Sequence, residues 1–334
     1  MTRRPMATTI VVLLAAGATA CSRADESATS TATSTSTSTV APTSSTTTST
    51  TTSTTTTVAP TSTTTTIAPT TTSTTTSTTT TTTTTVAPTT TSTSSTSTTV
   101  APPPLPDGIE PIDAFTFPTD VEIEIGRSVE GRPITVIRRG DPAGTRVLAV
   151  GVIHGNEADG TAIIDRLATE PVPAGVELWL VRSMNPDGEA RADRQNANAV
   201  DLNRNFPENW DVLGEPGFWQ YGGSAPASEP ETRAMVALGG SVRPQIVLWY
   251  HQDLFRIAPG SGRPGEIRTR YADVAGLPIV EITGGTYTGT ASQWSRTVIP
   301  ESGVGITVEL GPTLSEAEIV AHVDAVFTIA TEYF

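Results

Sequence analysis

The chain has 334 residues, 16% of them charged, and a formal net charge of −14. Between positions 27 and 106, 59 of 80 residues are Ser or Thr and none is charged, which excludes a packed core there. The remaining 107–334 hold 17 Arg, no Lys and 32 Asp and Glu, and this net −15 excludes nucleic acid as an expected partner because phosphate would be repelled.

Residues 1–20 read as an export signal, with Arg3 and Arg4 first, an apolar run over 10–16 and the small residues Ala18-Thr19-Ala20 last. The apolar run is too short for a membrane-spanning helix. Cys21 follows at once and is the only cysteine, so intramolecular disulfides and cysteine metal sites are excluded. Its position resembles the lipidated cysteine of bacterial lipoproteins. The expectation is a lipid anchor at Cys21, with plain secretion as the alternative.

Residues 21–106 are expected to be a disordered linker, punctuated by triplets such as Val40-Ala41-Pro42 and Val100-Ala101-Pro102. As a flexible coil of that length it reaches roughly 50 Å, enough to carry a domain away from a membrane into a cell wall.

Residues 107–334 read as one α/β domain, expected to be monomeric. Apolar alternation over 121–125 and 134–137, separated by Gly131-Arg132-Pro133, predicts a β-hairpin. The near-continuous apolar run 147–153 predicts a buried central strand, and residues from Gly155 to Leu167 lead into a helix. A strand is expected over 176–181, ending at the turn signal Asn185-Pro186-Asp187-Gly188. Ser228-Glu229-Pro230-Glu231 predicts a capping box for a helix to about Gly239. Short buried strands follow over 246–250 and 306–310, and Ser315 with Glu318 caps a C-terminal helix. Strands alternating with helices predict a mostly parallel mixed sheet with helices on both faces.

Chemistry concentrates after the predicted strands. His154-Gly155-Asn156-Glu157 follows one of them, at the carboxyl end where open α/β sheets bind ligands. Imidazole and carboxylate are zinc donors, and catalytic zinc commonly takes three protein ligands and a water. With no thiol in the domain, the third ligand is His251 or His322. His251 sits at a strand end, whereas His322 falls inside a predicted helix as an ordinary packed or solvated residue, so His251 is the expected ligand.

Several motifs in order now carry a resemblance: His154-Gly155-Asn156-Glu157, Asn185-Pro186-Asp187-Gly188, Arg194-Gln195-Asn196-Ala197, Asp201-Leu202-Asn203-Arg204-Asn205-Phe206-Pro207, His251 and Thr307-Val308-Glu309-Leu310. Together they resemble the zinc carboxypeptidases over essentially all of 107–334. The resemblance implies a three-layer α/β/α fold and one zinc ion on His154, Glu157 and His251. It implies Glu309 as general base and Arg194 as stabiliser of the oxyanion, with Arg191 and a solvated loop arginine as the alternatives to Arg194. Asn203 and Arg204 correspond to the clamp on the substrate carboxylate, Asp201 to the residue that orients the first histidine, and Tyr287 to a substrate-contacting tyrosine on a mobile loop. The segment 289–294 is expected to line the specificity pocket.

Ser228-Glu229-Pro230-Glu231-Thr232 is similar to the bacterial murein peptide amidases, which cleave the γ-D-glutamyl–diaminopimelate bond of peptidoglycan peptides. The expected substrate is therefore a peptide or a peptidoglycan stem peptide, cleaved outside the membrane. The alternative is a non-catalytic cell-surface lipoprotein that binds peptides in the same cleft. Two departures stand out: Asn156 where the family often has Asp, and Ala199 where it often has Gly.

Overall fold

A computed structural model describes residues 104–334. The expected signal sequence, Cys21 and nearly all of the expected linker lie outside the described residues.

The hairpin forms from β1 (Glu122–Arg127) and β2 (Pro133–Gly140), paired antiparallel with an irregularity between Glu124 and Gly126. Then follow β3 (Thr145–Val150), α1 (Gly160–Leu167), β4 (Val176–Val181) and α2 (Pro186–Arg191). The second half contributes α3 (Pro230–Val242), β5 (Ile246–Gln252), β6 (Arg256–Ile257), α4 (Gly262–Ala275), α5 (Ala291–Val298), β7 (Val304–Leu310) and α6 (Glu316–Glu332). The strands make one seven-stranded sheet in the order β1-β2-β4-β3-β5-β7-β6. Its four inner strands, β4, β3, β5 and β7, run parallel, and the antiparallel members are confined to the flanks. The mostly parallel mixed sheet expected from the sequence is thus present.

Strand periodicity divides the core in two. On β3, Val147 and Ala149 face one side with Ile163 of α1, Ile267 of α4 and Ile329 of α6. Leu148 and Val150 face the other with Trp179, Met235 of α3 and Trp294 of α5. Side chains two apart share a face, so each strand feeds both cores, and each large apolar side chain buried contributes about 1.5–3 kcal/mol. All six residues of β4 are buried, as a strand covered on both faces requires.

Three local expectations are corrected. Asn185 does not end a strand in a simple turn; its side chain accepts the Gly188 N–H at 3.0 Å and caps α2, with Pro186 in the first turn. Ser228 does not form a capping box, because its hydroxyl donates to Glu229 and accepts from Asn205 instead, while Glu231 is buried against the Val129 N–H and Asn196. The strand expected over 246–250 continues to Gln252, so His251 lies within β5 rather than after it. By contrast the box at α6 is complete, Ser315 and Glu318 serving each other's backbone N–H.

His322 is a core residue of α6. Its Nδ1 lies 2.9 Å from the Tyr271 hydroxyl, which meets the Tyr250 hydroxyl at 3.1 Å. Burial pushes its imidazole down to about 4, with Glu318 opposing weakly. The unfolded chain therefore binds more protons than the native one below the ordinary histidine value of about 6.5, and stability falls as pH drops from there toward 4. The expected loss is about 3 kcal/mol by pH 4. Denaturant unfolding from pH 7 to 4 should show a flatter profile for His322→Gln than for the wild type; equal slopes would refute the assignment.

Candidate metal and catalytic site

The site forms where β3 and β5 deliver their chains to one edge of the sheet. Beyond β3, the Glu157 N–H donates to the His154 carbonyl at 3.0 Å, and this turn folds the Glu157 carboxylate back onto the His154 ring. A Cβ on Gly155 would come within 1.9 Å of the Gly188 carbonyl carbon, so the loop can lie against α2 only with glycine there. That contact couples two motifs of the sequence physically.

His154, Glu157 and His251 are buried, and their donor atoms lie within 4.8 Å of one another. The two Nδ1 atoms are 3.2 Å apart, and each is 2.9 Å from a Glu157 carboxylate oxygen. On its far side the His154 ring places Nε2 3.0 Å from Asp201 Oδ1, which assigns the ring proton to Nε2 and turns the Nδ1 lone pair inward. Two imidazole nitrogens and a carboxylate facing one point suit a zinc ion in number and type. Among the described residues this is the one cluster of that kind.

Asp201 is fully buried, with Oδ1 also accepting the Asn203 N–H at 2.9 Å and Oδ2 accepting from Arg194 Nη2 at 2.9 Å. Burial alone would favour its neutral form, but His154, Arg194 and Arg204 together hold the carboxyl well below the usual range. Glu157 is held low in the same way, its burial outweighed by the two histidines that face it.

Arg194 reaches the donor cluster, its Nη1 lying 3.1 Å from Glu157 Oε1, and its guanidinium stacks over Trp219. Arg191 instead pairs with Glu130 at the surface. Geometry therefore separates two arginines that the sequence leaves side by side. Ala199, preceding this loop's Val200-Asp201, sits at φ 56°. Glycine adopts that conformation freely, whereas a Cβ costs about 1–2 kcal/mol, so the departure at Ala199 has a backbone consequence. Asn156 is exposed.

Parallel pairing of β5 with β7 sets His251 opposite Glu309. Burial pushes the Glu309 carboxyl above the usual range; the His251 charge opposes this and the Glu157 charge adds to it. Such a carboxylate accepts protons more readily than an exposed one.

Arg204 is buried beneath the Tyr287 ring, 5.5 Å from its centroid, and donates to the Asn203 carbonyl at 2.7 Å. Its Nε has no partner among the described residues. Burial lowers its hold on the proton, and the Asp201 charge restores part of it. A buried cation with a free donor is a site for an anion. Asn203 fixes its amide by accepting the Ala291 N–H at 2.9 Å. Tyr287 is 50% exposed on its loop.

Asn203, Tyr287, Thr307 and Glu309 border one cleft of about 280 Å³, which Thr290, Ser292 and Gln293 also line. Sequence reasoning missed Arg268 and Arg296 in the same lining. Neither belongs to a motif, and only the packing of α4 and α5 brings them together.

The zinc carboxypeptidase family profile matches residues 114–252. The chain is 32% identical over 192 residues to murein peptide amidase A of Escherichia coli strain K12, which spans 53% of this chain and 77% of that protein. Over 213 residues it is 29% identical to murein peptide amidase A of Vibrio campbellii, covering 60% of this chain and 83% of the relative. The chain belongs to the zinc carboxypeptidase family, and with it is a peptide hydrolase that uses one zinc ion.

Among solved structures it is similar to murein-tripeptide amidase MpaA from Escherichia coli O157, at TM-score 0.50 and 26% identity, covering 66% of this chain and 95% of that one. Carboxypeptidase A from Helicoverpa armigera shares the fold at TM-score 0.55 and 19% identity, covering 64% and 68%.

Proposed function

We propose that the chain is an exported zinc metallocarboxypeptidase that releases the terminal residue of a peptide, with peptidoglycan stem peptides as the preferred substrates. The observation that carries the chemistry is the convergence of three donor atoms beside Glu309. His154, Glu157 and His251 would hold the zinc ion, which when bound acidifies water and polarises a carbonyl.

Glu309 takes the proton from the attacking water and delivers it to the departing amine, a task suited to a carboxyl of raised proton affinity. Arg194 offers its guanidinium to the charge that develops on the carbonyl oxygen. Arg204, short of an anion, binds the substrate's terminal carboxylate together with Asn203, and Tyr287 closes over it. Asp201 keeps the His154 ring in one orientation.

The murein peptide preference rests on likeness to the two murein peptide amidases. The address rests on sequence: a signal over 1–20, lipidation at Cys21, and 21–106 as a spacer that carries the catalytic domain 107–334 from the membrane into the wall. The test is to incubate the zinc-loaded chain with stem peptides and with ordinary peptides of equal length, and to identify products by mass spectrometry. Cleavage of the γ-D-glutamyl–diaminopimelate bond is expected, at a higher rate than any ordinary peptide. Absence of any product would overturn the hydrolase reading, and faster release from ordinary peptides would overturn the substrate preference.

A further inference from the structure

Two arginines that the proposed chemistry does not use face its cleft. Arg268 comes from α4 and Arg296 from α5, and both line the cavity bordered by Asn203, Tyr287 and Glu309. Neither pairs with a carboxylate among the described residues. Arg268 gives Nη2 to the Gly305 carbonyl at 2.8 Å and Nη1 to the Pro259 carbonyl at 3.0 Å. Those bonds fix the guanidinium in place and leave its charge uncompensated, and its buried Nε has no partner among the described residues. The Arg296 side chain makes no hydrogen bond or ion pair to another described residue.

Burial, and then the nearby Arg296 charge, hold the Arg268 guanidinium below its ordinary proton affinity. Two like charges gathered in a half-buried cleft are unfavourable, and an anion entering between them relieves both. The one carboxylate lining the cavity is Glu309, which the hydrolase reading reserves for proton transfer. The rest of the wall near the arginines includes the apolar Leu254, Ile257, Ala258 and Ile282.

We propose that Arg268 and Arg296 bind a carboxylate at the end of the departing residue's side chain, which makes a C-terminal residue with two carboxylates the preferred leaving group. The inference rests on the hydrolase reading above and deepens it. One carboxylate of the departing residue meets Arg204 and Asn203; the second meets the arginine pair; the methylenes between them lie on the apolar wall. Planar guanidinium forks match carboxylates, and a side chain that ends in an ammonium with no carboxylate adds a third cation and is rejected. Glutamate and diaminopimelate both carry the required second carboxylate.

The test measures kcat/KM for peptides identical except for a final Glu, Gln, Lys or diaminopimelate, using the full zinc-loaded chain and its Arg296→Gln and Arg268→Gln variants. At least one of the two carboxylate-bearing residues should exceed Gln by about 10–100-fold, the worth of hydrogen bonds to a charged group. Which of them leads tells an ordinary acidic residue from a diamino one. In each variant that ratio should collapse toward one. A ratio is unaffected by a general loss of folded enzyme, so a merely structural role for either arginine would leave it unchanged. Equal cleavage of Gln and both carboxylate-bearing peptides, or an unchanged ratio in both variants, overturns the inference while the hydrolase reading stands. No cleavage of any peptide by the wild type overturns both.

Discussion

Changing Glu309 to Gln is expected to lower kcat by about 10²–10⁴-fold, the range that a positioned acid–base group supplies. The substitution is nearly isosteric and removes only the capacity to carry a proton. Glu309 sits on β7 opposite His251, and its backbone pairing is independent of its side chain, so the sheet and the three donor atoms should persist. Zinc content should therefore stay at one ion per chain while turnover collapses. Because burial holds this carboxyl above the usual range, the acidic limb of the wild-type rate profile also belongs to it, and the Gln variant should lose that limb. Wild-type turnover in a zinc-replete Gln variant would remove Glu309 from the chemistry.

The second large effect concerns His251. Replacing it with Ala leaves two donors, His154 and Glu157, where structural chemistry asks for three beside a water. Loss of a residue that merely orients a ligand costs about 10–100-fold in metal affinity, and loss of a ligand itself is expected to exceed that. The Glu157 carboxylate also loses the His251 imidazole 2.9 Å away, so its position relaxes. Competition with a chromogenic chelator measures the change directly. Wild-type affinity in His251→Ala would mean that the ion is held elsewhere.

Much of this could be read before the structure. The strand over 176–181 appears with those bounds because a run buried on both faces is apolar throughout and ends where its neighbours end. His154, Glu157 and His251 were legible because only three histidines exist and a strand end is a poor place to pack one by chance. The limits have equally physical causes. His251 lies inside β5 because β7 pairs with that strand out to Leu310, a property of the partner strand and invisible in the local pattern.

The Ser228 box failed because Asn205 competes for the same hydroxyl across a long sequence gap. Helix α4 carries little apolar periodicity, and α5, though amphipathic and capped by Thr290 and Gln293, is only eight residues long, so neither stands out in the sequence. Arg268 and Arg296 read as ordinary surface charges until packing places them together. Arg194 and Arg191 are the converse case: similar context in sequence, opposite destinations once α2 ends at the left-handed Ala192.

The account depends above all on a zinc ion among His154, Glu157 and His251. Crystals of the zinc-loaded chain, measured on both sides of the zinc absorption edge, test it directly. The expected anomalous map has its strongest peak between the two Nδ1 atoms and the Glu157 carboxylate, about 2.0–2.2 Å from each donor. A fully loaded crystal with no peak there, or with its main peak at another group of residues, would contradict it.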